Sequence, residues 1–318
     1  MSTNDDVGDR TVGLHHVTAI ASDPGDNVAF YADVLGLRLV KRTVNFDDVK
    51  TYHLYYGDET GTPGTAMIFF PFERGSPGFV GRGQTSATAF VIPAGSVDYW
   101  TERLESEGVD ADDPVDRFGE TVVPFRDPDG QPLELVVGES DVEPWADGPV
   151  PVEHAVRGFH GVTLDSLDPV ATGGALSALG YEAVDGTDDR TRYRAAGDRA
   201  AVVDVLDRAE GQRGRQGVGT VHHVAFRAPD EETQLAWRDR LVEAGYRVTE
   251  QKDRQYFKSI YFREPGGILL EVATNGPGFT RDEAVDELGT DLKLPPWLTD
   301  SRESIEAALP PIDAGRAD

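Results

Sequence analysis

The sequence predicts an α+β fold built from four copies of one βαβββ unit. Three observations carry this reading. A short strand containing His recurs as Gly13-Leu14-His15-His16-Val17-Thr18, Gly158-Phe159-His160-Gly161-Val162-Thr163 and Thr220-Val221-His222-His223-Val224-Ala225. Each strand precedes a helical stretch that stops at Gly followed by a hydrophobic residue. Strand-end positions 69, 134, 204 and 271 then recur at roughly 65–70 residues, the size of one supersecondary unit.

The first unit spans about residues 12–73. Its helix is expected over Val28–Leu35, stopped by Gly36-Leu37, and the turn Thr62-Pro63-Gly64 feeds the last strand through Phe69. The second, about 84–138, lacks the His but keeps a strand over Thr88–Ile92, a helix over Ser96–Glu107 and a stop at Gly108-Val109. The third, about 157–208, places a helix over Val170–Leu179 before Gly180-Tyr181 and ends on Ala201–Asp204. The fourth, about 218–275, places a helix over Glu232–Ala244 before Gly245-Tyr246. Its turn and last strand, Glu264–Val272, align with Asp127–Leu135 of the second. Gly just past a helix supplies the left-handed cap. Asp23, Asp168 and Asp230 stand where N-terminal caps belong. The Pro-rich stretch Glu143–Pro151 reads as a linker. The expected division is a domain at 1–143, a second at 152–275 and a tail at 276–318, with one short helix over Asp300–Ala308.

Composition narrows the function. The 318 residues carry 30 Lys+Arg against 57 Asp+Glu, a formal charge of −27, and no cysteine. Disulfides, thiolate nucleophiles, iron–sulfur clusters and cysteine-ligated zinc are therefore excluded. A surface this acidic does not suit nucleic acid. Apolar runs such as Met67–Pro71 fall far short of the ~18 residues that cross a bilayer. Residues 1–11 are polar and acidic, so no secretory signal is expected and a cytoplasmic protein is. Lys occurs only five times and the acid is dispersed along the chain, a pattern expected of a halophilic cytosol. Nucleotide-binding loops are missing: Gly211–Gly217 lacks the dinucleotide spacing and opens no helix. No Gly-x-Ser-x-Gly elbow occurs either.

A repeated unit puts equivalent residues at equivalent places. The first strand can present a His and the last a carboxylate, so two units facing each other offer up to four ligand positions, suited to Fe, Mn, Zn or Ni. Ordered stretches strengthen the pattern: Leu14–Thr18, Val40–Thr43, Tyr52–Tyr56, Gly61–Thr65, Arg157–His160, His222–Phe226, Asp253–Phe257 with Tyr261, and Pro265–Gly267 with Glu271. Together they resemble the vicinal oxygen chelate superfamily of glyoxalases, bleomycin-resistance proteins and extradiol dioxygenases. The resemblance is closest to its hydroquinone-type ring-cleaving branch. It implies glyoxalase-like curved mixed sheets, with the first and fourth units sharing one site and the second and third pairing with each other. It also implies a metal held by His16, His223 and Glu271, with Phe69 as the apolar fourth position. Three protein donors leave a face open, as in non-haem Fe(II) oxygenases. A glyoxalase typically fills all four.

The implied activity is Fe(II)-dependent cleavage of a hydroquinone or catechol ring by O2, with Mn(II) as the other candidate metal and self-association as a family habit. A metal-dependent isomerase or lyase of the glyoxalase type and a non-enzymatic sequestering protein are the alternatives. His222 or Tyr261 is the candidate base, and Arg254 the group that offsets anionic oxygen. Thr18 shares the face of His16. Strand alternation turns His15 and His222 to the opposite face, whereas the resemblance has both lining the active site. His53 and His154 read as structural. Glu134, His160 and Asp204, with Ala87 as a small fourth residue, offer a second metal site of one His and two carboxylates or, as the preferred reading, a relic of duplication with His160 hydrogen-bonded inside the fold.

Overall fold

The computed structural model describes residues 10–46 and 48–312. The outermost parts of the two end segments expected from sequence, residues 1–9 and 313–318, lie outside the described residues. All four βαβββ units form. They comprise β1 (Leu14–Ala21), α1 (Pro24–Val28), β2 (Arg38–Val44), β3 (Tyr52–Gly57) and β4 (Ala66–Pro71); then β5 (Gln84–Ile92), α2 (Val97–Ser106), β6 (Val115–Arg117), β7 (Glu120–Arg126) and β8 (Pro132–Val137). The second half repeats the order with β9 (Phe159–Asp165), α3 (Pro169–Ala178), β10 (Glu182–Gly186), β11 (Arg190–Arg194) and β12 (Val202–Leu206). The last unit is β13 (Thr220–Ala228), α4 (Glu231–Glu243), β14 (Lys252–Asp253), β15 (Lys258–Arg263) and β16 (Leu269–Thr274).

Local chemistry explains the helix ends. The carboxylates of Asp23, Asp168 and Asp230 accept backbone N–H bonds from Gly25 and Asp26, Ala171, and Thr233. Each satisfies donors that a first turn leaves free. The first helix departs from expectation by widening after Val28 into a π-type turn over Ala29–Val34, with Leu35 N–H donating to the Phe30 carbonyl.

Two eight-stranded mixed sheets result, one in the order β14-β15-β16-β13-β1-β4-β3-β2, the other β10-β11-β12-β9-β5-β8-β7-β6. The first joins units one and four through an antiparallel β1–β13 seam; the second joins units two and three through β5–β9. Each sheet thus takes strands from both halves of the chain, and the sheets cut across the expected division at the linker. The physical reason is that the two central strands of each sheet come from different halves, so neither half closes a sheet alone.

The central strands are covered on both faces. Val17, Ala19, Met67 and Phe69 join the core that includes Phe30 and Tyr31 of the first helix. Ala66, Ile68 and Ala225 belong to a separate cluster with Tyr256 and Phe257. Turns tie the sheets together. Tyr31 donates to Asp127 at 3.0 Å, and Thr172 donates to Glu264 at 2.7 Å. Each bond links a helix of one sheet to a turn of the other.

The tail has a structural role. It runs beside β2, where Arg42 bridges to Leu292, and Tyr52 donates to the Pro310 carbonyl. Fully buried Lys41 pairs with Asp282 and Glu283. The tail so covers an edge strand that otherwise exposes unpaired backbone. Its helical parts are 3₁₀ turns at Phe279–Arg281 and Val285–Glu287 and a 3₁₀ stretch, Pro296–Ser301, followed by α5 (Arg302–Glu306).

Candidate active site

His16 and His223 face each other because of two β-bulges. Along the β1–β13 seam, Leu14 pairs with Phe226 and His16 with Ala225, so His15 is an extra residue. Farther on, Thr18 pairs with His223 and Ala19 with Val221, so His222 is the extra residue on the other strand. A bulge re-aims side chains that strict alternation sends to opposite faces. The result is a pair of histidine dyads, with His15 Nδ1 at 2.9 Å from His16 Nδ1 and His222 Nδ1 at 2.7 Å from His223 Nδ1.

Glu271 completes the cluster. It lies on β16 opposite Tyr261 of β15 and beside Ala225 of β13. Its Oε2 is 2.8 Å from His223 Nε2 and 3.4 Å from His16 Nε2, and the two Nε2 atoms are 3.3 Å apart. All three residues are buried. Among the described residues this is the one group of three or more such side chains whose donor atoms converge.

Proton positions follow from one carbonyl. His15 Nε2 lies 3.1 Å from the Thr274 carbonyl, which only accepts, so that nitrogen carries the proton. Burial, with the His16 ring next, drives the His15 pKa down to about 3, so His15 is neutral and its Nδ1 is an acceptor. The proton shared by His15 and His16 therefore sits on His16 Nδ1. That leaves His16 Nε2 as a bare lone pair aimed at a carboxylate. Neither Glu271 oxygen accepts a hydrogen bond of proper geometry, despite the short approach of His223. Burial favours the neutral acid at Glu271; the neighbouring His16 and His223 imidazoles act against it and hold the carboxyl well below its usual range. Buried lone pairs and a buried carboxylate converging without a donor fit a cation. The residues present therefore suit a metal ion with two imidazole donors and one carboxylate.

The fourth donor position is Ile68. In the fourth unit Glu271 lies beside the residue two beyond His223. The residue two beyond His16 is Thr18, and it pairs with Ile68, not with Phe69. Phe69 points the other way and packs on Tyr31 at 4.4 Å. The expected identity was one residue off, because the turn before β4 is one residue shorter than its counterpart in the fourth unit: Ile68 lies five residues after Pro63, and Glu271 lies six after Pro265. The apolar character of the position stands.

A cavity of about 170 Å³ opens beside His16 and His223. An engineered void of about 150 Å³ holds benzene, so one substituted ring fits. Thr18, His222, Arg254 and Tyr261 line it, as expected from sequence. Arg254 sits on the β14–β15 turn, where its Nε donates to the Tyr261 hydroxyl at 3.2 Å and its guanidinium lies over that ring. Burial, then Glu271, keeps the Tyr261 hydroxyl protonated well above its ordinary range. Burial, then His223, lowers His222 to about 4, leaving it neutral at pH 7. His15 is the exception to the expectation from the resemblance. It does not line the cavity; its ring is spent holding His16.

Sequence reading also missed part of the wall. His53, expected in the core, lines the cavity with Tyr55, whose hydroxyl lies 2.8 Å from His53 Nδ1. Both belong to one face of β3, a period-two signal visible in Tyr52–Tyr56. Phe46, Phe70 and Phe257 add aromatic surface, and Phe46 touches Trp297 of the tail. His154 is structural: it stacks on Tyr99 at 4.3 Å and its Nδ1 meets Ser96 Oγ at 3.0 Å.

The second sheet repeats the bulges without the chemistry. Its extra residues are Ser86 and His160, so the positions matching His16 and His223 fall on Gly161 and Ala87. A side chain at Gly161 is excluded, since its Cβ would lie 2.1 Å from the Val202 carbonyl oxygen. Arginines occupy the rest. Arg117 makes a two-pronged contact with Glu134 at 2.7 and 2.9 Å, and Arg190 and Arg192 pair with Asp204. His160 bonds Glu120 at 3.0 Å. Glu134, His160 and Asp204 do not converge into a donor set.

Known proteins share this architecture. The family model described as Glyoxalase/Bleomycin resistance protein/Dioxygenase superfamily matches residues 13–135 and 176–272. MhqO of Bacillus subtilis, provisionally named a ring-cleaving dioxygenase, is 46% identical over 97% of this chain and 99% of its own. The chlorohydroquinone/hydroquinone 1,2-dioxygenase of Sphingobium indicum is 35% identical over 93% of this chain and 95% of its own. A crystal structure of a provisionally named dioxygenase from Bacillus subtilis superposes with a TM-score of 0.93 at 45% identity, covering 96% of this chain and 99% of that one. The repeated units, the paired sheets and these relatives agree: the chain belongs to the glyoxalase/bleomycin resistance protein/dioxygenase superfamily.

Proposed function

We propose that the chain is a non-haem iron dioxygenase that opens the ring of a hydroquinone or catechol with both atoms of O2. The observation that carries the reading is a three-donor set, closed on its fourth side by Ile68, against an aromatic-walled cavity of one-ring size. The relatives' names support the same chemistry.

In this reading His16, His223 and Glu271 hold Fe(II), with Mn(II) the other candidate. The bound metal supplies Lewis acidity and an electron path between an oxygenated ring and O2. The chain's own residues do the rest. To hold a metal through Nε2, His223 would carry its proton on Nδ1 and donate it to His222 Nδ1, so neutral His222, whose ring edge lines the cavity, keeps its own proton on Nε2 and is positioned to hold a phenolate oxygen by a hydrogen bond. Arg254 offsets that anionic oxygen, and Tyr261 directs that guanidinium. The Phe46, Phe70 and Phe257 rings flank the substrate ring and exclude water. Thr18 and the His53–Tyr55 pair offer polar contacts for ring substituents. A hydroquinone then yields a ring-opened carboxylate or acyl product bearing a ketone, and a catechol a hydroxymuconic semialdehyde. The same reading gives a cytoplasmic enzyme in a salt-rich cell.

The test is anaerobic loading with Fe(II), then an oxygen electrode with a panel of hydroquinones and catechols. The reading expects stoichiometric O2 uptake and a coloured ring-opened product. It also expects His223→Ala to lose both iron and uptake. Iron-loaded protein that consumes no O2 across the panel contradicts it.

A further inference from the structure

A second cavity, about 130 Å³ in volume, shares His222 and His223 with the aromatic cavity and otherwise has a different wall. That wall carries the guanidinium side chains of Arg82, Arg213 and Arg263 and no Asp or Glu. The concentration is notable in a chain of charge −27. Among the described residues, none of the three forms an ion pair with a carboxylate, and the Asp165 carboxyl is the acid that senses the Arg82 charge. Arg82 donates only to the carbonyls of Ala209 and Ser166, at 3.5 and 3.3 Å, and Arg263 donates to the Gly267 carbonyl.

Two buried polar atoms in this wall have no partner. The Arg82 Nε donor is one, and the hydroxyl of Thr85, a residue only 4% exposed, is the other. Both atoms are shut off from solvent, so they make the wall polar without reaching into the cavity itself. Three arginines around a space smaller than a benzene void fit a compact planar oxyanion. Guanidinium recognises carboxylate in just this fork-like manner.

We propose that this cavity is an anion site that takes a carboxylate group beside the His222–His223 dyad. The carboxylate has two possible sources: a free small carboxylate, or the carboxylate end of a ring-opened product. Only the second source rests on the proposed dioxygenase function.

The experiment is isothermal titration of the full chain with acetate, against chloride at constant ionic strength. One acetate site is expected, with chloride much weaker. Arg213→Gln should weaken acetate about tenfold, the worth of one charge-assisted hydrogen bond. Arg213 is exposed and makes no side-chain hydrogen bond among the described residues, so its replacement leaves folding intact, which circular dichroism checks. Arg82→Gln should weaken binding at least as much. Native protein that binds acetate no better than chloride overturns the proposal, as does undiminished binding by Arg213→Gln. A competition arm separates the sources. Purified ring-opened product that displaces acetate, with an inhibition constant raised about tenfold by Arg213→Gln, identifies the product as occupant. Acetate binding without displacement identifies free carboxylates. A protein that proves unable to cleave rings still gives a readable acetate titration.

Discussion

His15 donates one proton to the Thr274 carbonyl and thereby fixes where the proton of His16 sits. Its role is orientation of a donor. Partners of this kind typically contribute about 10- to 100-fold to metal affinity. His15→Ala should weaken iron binding by that factor in an anaerobic competition with a chelator, while circular dichroism stays native. Unchanged affinity would refute the tautomer assignment. Asp127 is a second residue with a measurable consequence. Burial, reinforced by the Asp129 charge, raises its pKa to about 6, above the unfolded value of about 3.9. The stability it contributes is therefore present below about pH 4 and lost as pH rises through about 6. Asn keeps the acceptor used by Asp129 N–H and Gln131 N–H and does not ionise. Asp127→Asn should gain on the native protein by roughly 2–3 kcal/mol between pH 4 and pH 6 in denaturant titrations, at 1.36 kcal/mol per unit. A constant difference across that range would contradict the account.

At the scale of elements, the four units, their capping carboxylates and their stopping glycines were legible in the sequence, because each rests on local chemistry. His16, His223 and Glu271 were legible as a repeat. The bulges were not. A His-His pair on a strand reads as one residue in and one out, and only the pairing of β1 with β13 makes His15 and His222 extra residues. The register of β4 was missed for the same reason, since it is set by the neighbouring strand. The vacancy of the second sheet depends on Gly161 meeting the Val202 carbonyl, a contact between strands distant in sequence. Register also makes a prediction. Ile68→Glu places a carboxylate at the fourth donor position and should retain or tighten metal binding while abolishing O2 uptake. Phe69→Glu instead buries a charge against Tyr31 and should destabilise the fold by several kcal/mol, the usual cost of an unpaired buried charge, read as a lowered Tm. The reverse pattern would restore Phe69 to the site.

At the scale of the whole molecule, the charge and the site are separate features. The strands that carry the ligands hold little acid: Leu14–Ala21 and Thr220–Ala228 have none, and Leu269–Thr274 has Glu271 alone. The acid lies in turns, on helix surfaces and on exposed strands such as β6 and β10, and Glu134 and Asp204 of the second sheet are paired with arginines. Self-repulsion of the unpaired remainder falls as salt shortens the Debye length from about 10 Å at 0.1 M to about 3 Å at 1 M. Tm should therefore rise by several degrees from about 0.1 to about 2 M KCl. A flat or falling curve would contradict adaptation to a salty cytosol. The carboxylate-binding cavity is the exception to this acidic surface, and its affinity should fall over the same salt range as its arginines are screened. Catalysis brings the scales together, since the bulged strands, the three donors and the aromatic walls are all read as serving oxygen insertion. The most direct test is single-turnover reaction of the iron-loaded protein with a hydroquinone or catechol under ¹⁸O2, with the product analysed by mass spectrometry. The account predicts that both atoms of one O2 enter the ring-opened product; a product carrying one labelled atom from O2 or none, before exchange with water, would contradict it.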